Sequence, residues 1–221
     1  MFEEVKSSTQ KIERYVPSRS SAGITELVVY DLLSPGNRFL DVGCGYGNLA
    51  RLAKSKFKET YGVDLHARAT SRTINFMECD AERGLPFFDA CFDSVVCVSV
   101  IQYVVNPSKL FKEIGRVLKI GGELIVETPN FAWLPYRTQL LFGKIPVAGY
   151  YTTIYHIFTK SSLCRLLESN GFEVDHLSCG GKLRRIRRYG LSLLSSDIVA
   201  KCHKTGRTSD DLLVEMLYGK A

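Results

Sequence analysis

The stretch Phe39-Leu-Asp-Val-Gly-Cys-Gly-Tyr-Gly47 decides the fold. A short apolar strand over Arg38–Val42 runs directly into three glycines at alternate positions, and apolar Leu49, Ala50, Leu52, Ala53 and Phe57 then predict a helix from Asn48 to Phe57. Glycine lets the backbone turn sharply and lets a ligand lie against it. The start of the following helix adds N–H groups and a partial positive charge. A dinucleotide site of the G-x-G-x-x-G kind needs glycine where this chain has Asn48. Asp41, two residues ahead of Gly43, also suits a cationic ligand better than a pyrophosphate. The plain alternative is that Gly43, Gly45 and Gly47 only make a tight turn.

Working outward, residues 22–33 have helical spacing and stop at Pro35-Gly36. On the other side, Thr60–Asp64 and Ile74–Glu78 read as strands, and the run Ser94–Ser99 reads as a strand buried on both faces. An amphipathic helix over 107–119 starts at a proline and is followed by Gly121-Gly122. A strand over Glu123–Thr128, a helix over 160–170, and strands over Phe172–Leu177 and about Ser195–Cys202 complete the pattern. Strands alternating with helices predict an α/β, doubly wound, mainly parallel sheet covered on both faces. In such sheets the ligand sits beyond the carboxyl ends of the strands. Asp64 ends the second strand, where a carboxylate can accept from two ribose hydroxyls, or can be a plain exposed acid. Asp80 follows the third strand, placed to accept from an adenine amine beside the Ala81 N–H, or to serve as a turn residue. Glu82 competes with it.

The chain has 221 residues, 45% hydrophobic and 24% charged, with no linker, repeat or low-complexity run. That composition fits a single domain over 1–221 with a packed core, carrying an N-terminal helical segment (1–36) and a lid-like insertion (129–159). Seven cysteines lie scattered without a C-x-x-C pair, so neither a zinc site nor a disulfide framework is expected and no metal is assigned. The segment MFEEVKSSTQKIERYV has no apolar secretory core, and no stretch is apolar enough to span a membrane. A reduced, cytoplasmic protein is expected. The net charge of +6, concentrated in Lys182-Leu-Arg-Arg-Ile-Arg-Arg188, is compatible with nucleic acid, an anionic membrane surface or an acidic substrate.

The ordered set F-L-D-V-G-C-G-Y-G, Y-G-V-D, C-D-A, F-D-S-V-V-C-V-S-V and G-G-E-L resembles the class I S-adenosylmethionine (SAM)-dependent methyltransferases, in particular their small-molecule, type 11 and MetW-like branch. The resemblance covers residues 38–128 closely and extends loosely to residue 203. It implies a seven-stranded sheet with a reversed last strand, and SAM as cofactor. The implied SAM contacts are Asp41, Gly43, Cys44, Gly45, Asp64, Leu65, Asp80, Ala81, Val98 and Ser99.

Base-amine methyltransferases carry an Asn/Asp-Pro-Pro-aromatic tract at the fourth strand end, where this chain has Ser99-Val-Ile-Gln-Tyr103. Small-molecule relatives often carry a histidine near Gln102 or Tyr103, and this chain does not. Residues 129–159 are long and rich in aromatics, as a functional loop is. Their P-N-F…R-x-Q-L-L…G-x-x-P-V pattern resembles MetW-like proteins, while His156-Ile-Phe-Thr-Lys-Ser-Ser-Leu resembles quinone- and sugar-modifying O-methyltransferases. His156 is the candidate proton acceptor, with a backbone-bonding histidine as the plain reading. The expected partner is a small-molecule acceptor methylated on oxygen or nitrogen. An RNA methyltransferase and a non-catalytic, SAM-binding accessory protein are the alternatives.

Overall fold

The computed structural model describes residues 23–66, 74–146, 154–179 and 191–206. The first 22 residues, the middle of the aromatic insertion and the basic run 182–188 lie outside the described residues.

The elements run α1 (Ile24–Leu32), β1 (Gly36–Val42), α2 (Asn48–Ala53), β2 (Phe57–Asp64), β3 (Asn75–Glu78), β4 (Phe92–Val98), α3 (Pro107–Val117), β5 (Leu118–Pro129), α4 (Leu134–Leu141), α5 (Lys160–Glu168), β6 (Phe172–Ser178), α6 (Leu191–Leu194) and β7 (Asp197–Lys204). Seven strands form one sheet in the order β3-β2-β1-β4-β5-β7-β6. Strands β1 to β5 pair in parallel, and β7 is antiparallel to both β5 and β6. The doubly wound sheet with its reversed last strand is the expected architecture. From β1 the chain first builds outward through β2 and β3, then returns to start β4 on the opposite side. That reversal opens a crevice at the carboxyl ends of β1 and β4.

Both faces of the sheet are covered, which explains the unbroken apolar runs of its central strands. Leu40, Val95, Leu124 and Val126 pack toward α3 and α5 with Phe111, Ile114, Leu163 and Leu167. Their neighbours Phe39, Val96, Ile125 and Val199 pack the other way, onto Val28 and Val29 of α1 and Leu49 and Ala53 of α2. Asn106 caps α3 by accepting the Lys109 N–H at 3.0 Å, with Pro107 opening the helix.

Among the boundaries that differ from the sequence reading, two have a clear cause in the packing. The helix after the glycine loop ends at Ala53, because Phe57 opens β2 and packs on Phe39 with ring centroids 5.2 Å apart. Lys56, between them, donates to the carbonyls of Tyr30 and Leu33 at 2.7 Å each and so closes the end of α1. Gly121-Gly122 does not follow a free helix end. It lies inside β5, which begins at Leu118, and a register shift against β4 between Phe92 and Ser94 absorbs the extra residues.

Candidate cofactor and acceptor site

The loop after β1 is built by hydrogen bonds to β2. The N–H groups of Gly43 and Cys44 both donate to the Val63 carbonyl, at 2.8 and 3.0 Å. The two glycines that follow β1 are constrained in different ways. Gly43 has φ +75°, and a Cβ there would lie 2.2 Å from Val100 Cγ2. Gly45 has φ +53°, and no atom comes within 4 Å of where its Cβ would be. One glycine is required by packing; the other leaves open space over the backbone. The Gly45 N–H donates to Asp64 Oδ2 at 2.8 Å, and the His66 N–H donates to Asp64 Oδ1 at 3.0 Å. Asp64 is therefore held at the end of β2 with its carboxylate facing the glycine loop. Leu65, next to it, is exposed. Cys44 is a packing thiol: a Cβ on Gly62 would sit 2.8 Å from its Sγ, and burial pushes its pKa up, away from reactivity.

Asp41 is 3% exposed. Burial, with Glu26 and Asp64 nearby, pushes its pKa up to about 8. Glu26, reaching in from α1, is likewise raised by burial despite a bond from the Gly23 N–H and the pull of Arg51. Three carboxylates thus converge on one end of the sheet, where a cation would relieve them.

Asp80 and Ala81 are brought beside Asp64 by a bond from the Cys79 N–H to the Asp64 carbonyl, 2.9 Å. Asp80 accepts from the Glu82 N–H at 3.0 Å and pairs with Arg83 at 3.1 Å. Glu82 accepts the Asn106 N–H at 2.7 Å, which commits it to the start of α3. Val98 ends β4 and Ser99 follows it, just beyond the point where Val42 of β1 pairs with Cys97. Ser99 adopts φ +55°, and its Oγ donates to Glu127 Oε2 at 2.6 Å. Sequence reasoning passed over Glu127 as a strand residue. It is 4% exposed, and burial, with Asp197 adding, pushes its pKa up to about 7. The available signal was a lone acid inside the apolar run Leu124-Ile-Val-Glu-Thr.

His156 lies apart from the glycine loop's hydrogen bonds. Its Nε2 is 3.1 Å from the Val105 carbonyl, and the backbone N–H groups of Tyr155 and His156 donate to the Gln102 carbonyl. With Gln102, Thr128, Phe131, Ile154 and Phe158 it lines a small cleft at the ends of β4 and β5. The Thr128 hydroxyl donates to Gln102 Oε1 at 3.4 Å. Asn130, fully buried, holds the insertion to the sheet. Its Nδ2 donates to the Ser195 carbonyl at 2.8 Å, and its Oδ1 accepts the Ala132 N–H at 3.1 Å. The Phe131 N–H bonds the Phe158 carbonyl at 2.8 Å, so both ends of the insertion meet at this cleft.

Comparison with known proteins gives this geometry a family. A methyltransferase domain model matches residues 12–177. The chain is 28% identical over 186 residues to the ubiquinone biosynthesis O-methyltransferase of Paracidovorax citrulli, covering 73% of this chain and 75% of that protein. It is 29% identical over 148 residues to the bifunctional methionine biosynthesis protein MetXA/MetW of Rhodopirellula baltica, covering 60% of this chain but only 23% of that protein. Several further relatives are also longer: the chain spans 45% of the rat mitochondrial ubiquinone biosynthesis O-methyltransferase. A solved SAM-dependent methyltransferase of Thermotoga maritima, described as a possible histamine N-methyltransferase, superposes with a TM-score of 0.63 at 24% identity, covering 89% of this chain and 96% of that one. Its likeness is one of fold. The strand order, the glycine loop facing an acid at the end of β2, and the match over residues 12–177 place the chain in the class I SAM-dependent methyltransferase family.

Proposed function

We propose that this methyltransferase moves the methyl group of SAM to an oxygen or nitrogen of a small or medium-sized molecule held in the cleft at the ends of β4 and β5. The observation that carries the reading is the pair Gly45 and Asp64. The backbone at Gly45 is open to a ligand, and Asp64, fixed by two N–H donors, keeps lone pairs for ribose hydroxyls. Family and fold imply SAM, and the residues present fit it. Asp41 and Glu26 offer negative charge to its ammonium, Gly43, Cys44 and Gly45 offer backbone, and Leu65, Asp80 and Ala81 border the place of the adenosine. Val98 and Ser99 close the β4 side. Bound there, SAM supplies a methyl group activated by its sulfonium. The protein's own part is alignment and exclusion of water. His156, with Nε2–H donating to Val105, keeps its Nδ1 lone pair to accept the acceptor's proton. The insertion 129–159, anchored by Asn130, acts as the lid.

Calorimetry with SAM and its demethylated product tests the cofactor half. No binding at millimolar SAM refutes it. Asp64→Ala is expected to weaken binding by about 1.5–3 kcal/mol, the worth of charge-assisted hydrogen bonds. Methyl transfer from labelled SAM to a metabolite extract tests the acceptor half. An RNA acceptor is the second reading. It is favoured by 30% identity over 171 residues to the tRNA U34 carboxymethyltransferase of Campylobacter curvus, and labelling of RNA in place of metabolites selects it. SAM binding with no transfer to either pool, together with a stable protein partner, selects an accessory role.

A further inference from the structure

The aromatic insertion, proposed above as the lid, also carries an exposed apolar surface. Helix α4 buries none of its residues. At its end Leu140, Leu141, Phe142 and Ile145 are 46%, 81%, 77% and 81% exposed, and Leu134 at its start is 48% exposed. Other exposed apolar side chains on the described surface, such as Phe88 and Ile120, fall far from these in sequence and do not form such a run. Five within twelve residues form a patch, and a patch of this kind marks an interaction site.

The patch has a defined backbone. The Gly143 N–H bonds the Leu140 carbonyl at 2.9 Å, and the Lys144 N–H bonds the Gln139 carbonyl at 2.8 Å. This is the two-bond helix end completed by a left-handed glycine, with Gly143 at φ +70°. Such ends usually bury an apolar pair across the turn. Here the paired positions are Gln139 and Lys144, so Leu141, Phe142 and Ile145 stay on the outside.

Charge selects the occupant. Residues 128–167 contain no Asp or Glu, although the chain has 23, and they contain Arg137, Lys144, Lys160 and Arg165. Arg137, Lys144 and Lys160 are exposed. A second copy of this face would set like charges against one another. A bilayer surface carrying anionic headgroups complements them, and its acyl boundary takes the apolar tip. No helix among the described residues is long and apolar enough to cross a membrane, so the contact is with the surface.

We infer that the end of α4, Leu140 to Ile145 with Arg137 and Lys144, docks the protein on anionic membrane surfaces. The test is co-sedimentation of the full chain with phosphatidylcholine vesicles, with and without about 30 mol % phosphatidylglycerol. Binding is expected only to the anionic vesicles and is expected to weaken with salt. The triple variant Leu141→Ser/Phe142→Ser/Ile145→Ser is expected to lose about 10-fold or more of that binding, since three exposed apolar side chains supply the insertion. Lys144→Glu is expected to weaken binding to anionic vesicles as well. Thermal unfolding like the parent's in each variant shows that the fold is intact. Absence of binding to anionic vesicles overturns the inference. So does vesicle binding that survives the triple variant, which would place the contact elsewhere on the chain. Concentration-dependent self-association of the protein that the triple variant abolishes also overturns it, in favour of a second copy.

Discussion

Replacing Gly43 and Gly45 one at a time with alanine separates what the glycine loop needs for folding from what it needs for its ligand. At Gly43 two costs add. A left-handed residue with a Cβ costs about 1–2 kcal/mol. The new methyl, 2.2 Å from Val100 Cγ2, forces that stiff β-branched side chain to turn or the loop to move, an overpacking cost of about 1–3 kcal/mol. Gly43→Ala should therefore lose about 2–5 kcal/mol of stability. For a domain of this size that is a fall in Tm of about 4–20 °C. At Gly45 only the first cost applies, because nothing lies within 4 Å of the new atom, so Tm should fall by about 2–8 °C. The same methyl then occupies the space over the backbone where the ligand is placed, and SAM affinity should drop about 10-fold or more. Thermal unfolding without ligand and calorimetry with SAM measure the two effects. Parent-like SAM binding by Gly45→Ala, or a Gly43→Ala no less stable than Gly45→Ala, refutes these roles for the two glycines.

Three further outcomes are expected. Burial holds the Asp41 pKa at about 8, above the ordinary carboxylate value of about 3.9. The folded state therefore binds more protons than the unfolded one across that window, and the ligand-free protein should lose stability as pH rises from about 4 to about 8. Scanning fluorimetry should show a shallower slope for Asp41→Asn; an identical slope removes Asp41 as the cause. Asn130→Ala strands the Ser195 carbonyl and the Ala132 N–H in a buried place. It should cost about 2–4 kcal/mol in chemical denaturation, and a loss under about 0.5 kcal/mol would show that the insertion is anchored otherwise. Once an acceptor is in hand, His156→Gln should lower transfer on the order of 100-fold while SAM affinity holds. Parent-like turnover from about pH 6 to 9 would take His156 out of the reaction and leave alignment alone.

Much of this protein was legible in one dimension because its determinants are local. The central strands are buried on both faces, so Phe39–Val42 and Ser94–Val98 are near-continuous apolar runs. The glycine loop announces itself because the backbone turns sharply at the end of β1, and Asp64 follows from its place at the end of the next strand. Other features depend on packing between distant segments. No local pattern stops helix α2 at Ala53; the packing of Phe57 on Phe39 gives β2 its early start. Gly121-Gly122 has the look of a helix stop, and only pairing with β4 turns it into an irregularity inside β5. Gly43 and Gly45 are indistinguishable in sequence. They differ because Val100, 57 positions beyond Gly43, folds back against one of them and not the other. Glu127 was hidden for the same reason: a carboxylate in a strand carries no mark of its burial or of its bond to Ser99 until β4 and β5 lie side by side. Composition and periodicity report what each segment does with its own neighbours; proximity across the sheet, which sets burial, charge repulsion and open space, exists only once the strands are ordered.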